Sequence, residues 1–138
     1  MTTKLAKLGA VLLLGSAVPV LAHHAFSAEF DRNQVVKVTG TVSKVEWTNP
    51  HIWIYVEGKD QDGKAANWGF QGGPPSYLMR SGWTKNSLKI GDPVTVQGYK
   101  AKDGSNHASG AKVTLPNGRQ VFAGTPDDGG PGAGASNQ

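Results

Sequence analysis

Between residues 35 and 122 the chain alternates apolar and polar residues with a period of two, and each alternating run stops at Gly, Pro, Asn or Asp. Successive side chains of a strand point to opposite faces, so this pattern specifies short strands buried on one side and argues against a helical bundle. Val35 to Trp47 alternates through Val36, Val38 and Val42, then resumes in the other phase at Val45 and Trp47. That slip predicts one long strand bent by a bulge or kink, with Gly40 as the pivot. After the Asn49-Pro50 breaker, residues 51–57 form a second strand with Ile52, Ile54 and Val56 on one side and His51, Trp53 and Tyr55 on the other. The turn Asp60-Gln61-Asp62-Gly63 brings the chain back through Asn67-Trp68-Gly69-Phe70, which completes a hairpin.

Gly72-Gly73-Pro74-Pro75 then interrupts the pattern, and Ser76 is placed to N-cap a short helix over Tyr77 to Arg80 that Gly82 stops. This is the one helix expected in the domain. Alternation returns in residues 93–99, with Pro93 at the permitted first position of a strand, then over Ala111 to Leu115, and after the Pro116-Asn117-Gly118 turn in Arg119 to Phe122. The fold expected is all-β: a small five-stranded barrel of the oligonucleotide/oligosaccharide-binding (OB) type over residues 35–123, with one short helix between strands 3 and 4. Val38, Val42, Ile52, Ile54, Val94 and Val96 are its expected interior. Residues 124–138 hold no large apolar side chain and read as a disordered Gly/Pro-rich tail.

The start of the chain has the layout of an export signal. Lys4 and Lys7 precede an apolar run from Leu8 to Val18, and Val20 and Ala22 put small residues at a cleavage point, so residues 1–22 are expected to be removed and 23–34 to lead into the domain. The destination is the periplasm or the exterior. No later run approaches the roughly 20 apolar residues of a transmembrane helix, so no membrane span is expected in the mature chain. Without the signal, 12 basic residues face 10 acidic ones, spread singly, and no basic stripe exists to follow a phosphate backbone. Nucleic acid is therefore not an expected partner. Cysteine is absent, which removes disulfides, thiolate nucleophiles and Cys-ligated metal sites.

His23-His24-Ala25-Phe26 directly after a signal, Gly40-Thr41-Val42, Glu46-Trp47-Thr48-Asn49-Pro50-His51, Gly82-Trp83-Thr84, Gly91-Asp92 and Gly98-Tyr99 together resemble a bacterial family of exported proteins of unknown function. The resemblance extends over nearly all of residues 23–123. Its most specific segments are the His-His-x-Phe start and the Trp-Thr-Asn-Pro-His stretch. It implies an exported barrel of the OB type from the bacterial envelope, and it brings no activity with it.

Two sets of residues carry candidate chemistry. Cleavage after Ala22 would make His23 the first residue, offering its α-amine and ring to one metal, with His24 and His51 as further ligands and copper as the candidate ion. The amine has an ordinary pKa of about 7.7 to 8, so a metal displaces its proton readily near neutral pH. No cofactor is required otherwise. The second set is aromatic: Trp53 and Tyr55 share a face of strand two, and Trp68 and Phe70 share a face of strand three, where OB barrels stack rings on their ligands. Trp47 and Trp83 sit near strand ends as packing residues, and His107 falls in a polar turn. No G-x-S-x-G, HExxH, paired carboxylates or phosphate-binding glycine loop is present, and Pro74 and Pro75 remove the amides that a phosphate nest needs. The expected function is a non-enzymatic periplasmic binding module for a small molecule, metal or envelope protein. Its alternatives are a copper-binding protein and a structural or stress-related envelope protein.

Overall fold

The computed structural model describes residues 25–110 and 112–125. Residues 25–29 form a short helical turn (α1). Seven strands and a second helix follow: β1 (Phe30–Glu46), β2 (Trp53–Asp60), β3 (Ala65–Gln71), α2 (Pro75–Arg80), β4 (Pro93–Ala101), β5 (His107–Ser109), β6 (Lys112–Thr114) and β7 (Gln120–Phe122). The protein is all-β, in one sheet of order β1-β2-β3-β5-β4-β6-β7, and a further β1–β4 pairing joins five of its strands into a ring. Within that ring β3 and β5 run parallel and the other pairs are antiparallel.

β1 can pair with β2 along one stretch and with β4 along another because it is long and bent. The bend lies at Ser43, where the register slips between Val42 and Lys44. Gly40 is not its pivot. Gly40 stands opposite Gly58 in register, and a Cβ there would lie 2.0 Å from the Glu57 carbonyl oxygen. Glycine is needed there for close strand approach. The extra residue at Ser43 turns both phases of the alternation toward one core, with Val36, Val38 and Val42 buried before it and Val45 and Trp47 packed against the core after it. At the bend, the Val42 amide donates to the Asp92 carbonyl (2.9 Å) and its carbonyl accepts from the Gly91 amide (2.7 Å).

All six expected interior residues are buried, none more than 3% exposed. Phe70, Leu78, Trp68, Trp83 and Val113 belong to the same cluster. A smaller cluster of Phe26, Phe30 and Ala101, with Tyr99 against it, fastens α1 to the end of β4. Arg32 lies over the Phe26 ring, 4.5 Å from its centroid. The β2–β3 turn is closed by Asp60 Oδ1, which accepts from the Asp62 and Lys64 amides. Gln61 extends the ladder beyond that turn: Oε1 accepts from the Lys37 amide (2.9 Å) and Nε2 donates to the Val35 carbonyl (3.1 Å).

α2 lies between β3 and β4, as expected, but starts earlier. Pro74 is its N-cap, with no side-chain hydrogen bond, and Pro75 opens the first turn, so Ser76 is not the cap. Gly82 ends it at φ +87°. The Gly82 amide donates to Met79 O (3.1 Å) and the Trp83 amide to Leu78 O (3.0 Å), which is the Schellman arrangement. Three further elements differ from the sequence expectation. β1 begins at Phe30, inside the segment read as a leader; α1 is a second helix; and the strand expected at Ala111 to Leu115 is a three-residue β6 preceded by a separate β5. At the other end Gly124 is still buried, and the Ala123 carbonyl accepts from the Gly73 amide (2.9 Å). The tail from residue 126 onward lies outside the described residues.

Candidate functional site

The register places one row of residues across four strands on the outside of the ring. Lys44 pairs with Tyr55, Tyr55 with Gly69, and Gly69 with His107. One step along, Glu46 pairs with Trp53 and Trp53 with Gln71. The bulge at Ser43 is what lets Lys44 and Glu46 share this face, because it shifts the alternation of β1 by one residue just before them.

Trp53 and Tyr55 are half-buried, with ring centroids 6.2 Å apart and planes 22° apart. The exposed His107 meets Trp53 edge-on at 5.3 Å. Gly69 forms the floor between them: a Cβ there would lie 2.8 Å from His107 Cδ2 and 3.3 Å from Tyr55 Cε1. On the other side of Tyr55 the Lys44 ammonium lies 5.3 Å from the ring centroid and forms an ion pair with Glu46 Oε1. The Tyr55 hydroxyl donates to Glu46 Oε2 at 3.3 Å. Burial, and then the Glu46 charge, push the Tyr55 phenol above its ordinary pKa. The hydrogen bond from Lys44 holds the Glu46 carboxyl below the usual range. At neutral pH the face therefore presents a protonated phenol, a carboxylate and an ammonium beside two half-open aromatic rings.

Only half of the expected aromatic set is here. Trp53 and Tyr55 face outward, whereas Trp68 and Phe70 point into the ring at 3% and 0% exposure, stacked on each other with centroids 6.3 Å apart. Their inward direction follows from the hairpin register, which pairs Trp68 with Val56 and Phe70 with Ile54. His107, read as a turn residue, is the first residue of β5. Lys44, Glu46, Gly69, Gln71 and His107 are not among the site residues expected from the sequence. Gly69, flanked by two aromatics in a strand, carried a usable cue, since a strand glycine marks the close approach of another group.

His23 and His24 lie outside the described residues. Among the described residues nearest to them, Phe26 packs on Phe30 and Tyr99 beside the start of β1. His51 lies beyond the far end of β1, where its Nδ1 donates to the Gly72 carbonyl (2.9 Å). A proton held on Nδ1 leaves Nε2 as the nitrogen able to ligate. Among the described residues no group of three or more His, Asp or Glu side chains is placed to hold a metal ion, and no helix is long and apolar enough to cross a membrane. Trp83 has the packing role expected of it, with Nε1 donating to the Phe122 carbonyl (2.9 Å).

No curated protein and no solved structure matches the chain. The model of a family of unknown function, DUF6152, matches residues 10–111, and the chain belongs to that family.

Proposed function

We propose that this protein is an exported, non-enzymatic binding module of the bacterial periplasm that receives a saccharide across the outer face of β2, β3 and β5. Three features support an OB-type barrel as its scaffold: the ring order β1-β2-β3-β5-β4, the single parallel pair within it, and α2 between β3 and β4. Barrels of that type bind oligosaccharides and oligonucleotides on the face of their second and third strands. The observation that carries the proposal is the row Lys44, Tyr55, Gly69, His107 with Trp53 beside it. A sugar ring has an apolar C–H face that suits an aromatic ring and hydroxyl edges that suit a carboxylate and an ammonium. Lys44 and Glu46 neutralise each other, so the face lacks the positive excess with which single-stranded nucleic acids are held. The export signal in residues 1–22 supports the periplasmic assignment.

A glycan array probed with the protein and with Trp53→Ala tests this. Binding to a subset of neutral glycans, lost in Trp53→Ala, is expected. No bound glycan, or equal binding by the variant, contradicts it.

A further inference from the structure

The inside of the ring holds a second feature, independent of the outer face. Lys100 follows Val94, Val96 and Gly98 in the alternation of β4, the three of them buried, so it continues the interior row at the end where β4 finishes. Its ammonium lies over the Trp68 indole, 5.8 Å from the ring centroid. Trp68 is 3% exposed, and its Nε1 is buried with no hydrogen-bond partner. The same indole thus has an ammonium over its face and an unused N–H at its edge.

Both groups are donors without acceptor capacity, so neither can satisfy the other. A buried donor left unpaired is costly, and the Lys100 ammonium, which lies over the ring face, supplies no acceptor for it. An ammonium beside an orphan N–H calls for an acceptor carrying negative charge. Lys100 is half-buried, so solvent reaches it, while Trp68 beneath is fixed by the core.

We propose that this end of the ring takes an oxyanion, a carboxylate or phosphate group, held between Lys100 Nζ and Trp68 Nε1. Lys100 supplies the charge and moves with its flexible stem to admit the anion. Trp68 supplies a fixed donor and hence the geometry. Lys100, half-buried, marks the side from which the anion enters.

The test uses ¹H–¹⁵N spectra, in which each of the four tryptophan indoles gives its own signal. Trp68→Phe assigns the signal of interest and removes the donor while keeping a ring. Inorganic phosphate and acetate are titrated separately at constant ionic strength. A saturable shift of the Trp68 indole with either anion is expected, and the anion that binds more tightly identifies the source as phosphate or carboxylate. Lys100→Met should weaken that binding roughly tenfold or more, as for loss of a charge-assisted hydrogen bond, and Lys100→Arg should retain most of it. A Trp68 indole unmoved by both anions, as when only water fills the position, overturns the proposal. So does an equal shift in Lys100→Met.

Discussion

Glycines at Gly40 and Gly69 look alike in the sequence but do different things. A Cβ at Gly40 would meet backbone, the Glu57 carbonyl oxygen at 2.0 Å and Gly58 Cα at 2.5 Å, and neither can move without separating β1 from β2. Gly40→Ala should therefore cost about 3 kcal/mol or more, read as a lowered urea midpoint. A Cβ at Gly69 would meet the ends of two side chains, His107 and Tyr55, which can rotate away. Gly69→Ala should cost about 1 kcal/mol or less but disturb the Trp53 environment, seen as a change in tryptophan fluorescence, and weaken ligand binding. Equal destabilisation by the two variants would contradict this distinction. Tyr55 offers a second residue-level test. Its raised pKa means that the folded state favours the protonated phenol, so its contribution to stability is complete below the ordinary tyrosine pKa of about 10 and is lost as pH rises through the folded value. Ultraviolet titration should show a tyrosine ionising later than usual. Glu46→Gln should bring it partway back, because burial, the larger cause, remains.

Among the elements, β2 was the most legible from sequence and β5 the least. Ile52, Ile54 and Val56 alternate cleanly with Trp53 and Tyr55, and all three are buried with no more than a trace of exposure. Replacing Ile54 with Ala should cost roughly 2–5 kcal/mol by urea unfolding, and a negligible loss would place it outside the core. β5 has three residues between the Lys102–Asn106 turn and Gly110, too few for a period to register, and its parallel partner β3 is over thirty residues away in sequence. Its existence is decided by closure of the ring. In β1 the phase slip is visible in the sequence but its position is not: Gly40 serves strand approach, and Ser43 makes the bulge. On the candidate face, the outward direction of Trp53 and Tyr55 was legible from the period of two. The inward turn of Trp68 and Phe70 was not, because a run as short as Asn67-Trp68-Gly69-Phe70 fixes which residues share a face but not which face is inside. Register against Val56 and Ile54 settles that.

At the scale of the whole molecule, the ring sets two environments apart. Among the described residues its interior is lined mainly by apolar side chains, with Lys100 entering over Trp68, and its outer β2-β3-β5 face collects half-open rings beside a Lys–Glu pair. Export should deliver this molecule without residues 1–22. Mass spectrometry of protein recovered from the periplasm should show His23 as the first residue, and a retained Met1 would remove the periplasmic assignment. The outer face is tested most directly by following the indole signals during titration with a glycan taken from the array. Trp53 should shift progressively to saturation, while Trp83, bonded to the Phe122 carbonyl, and Trp68, on the inner side of the ring away from this face, stay in place. A glycan that binds while leaving Trp53 unmoved would contradict the outer face as the binding site.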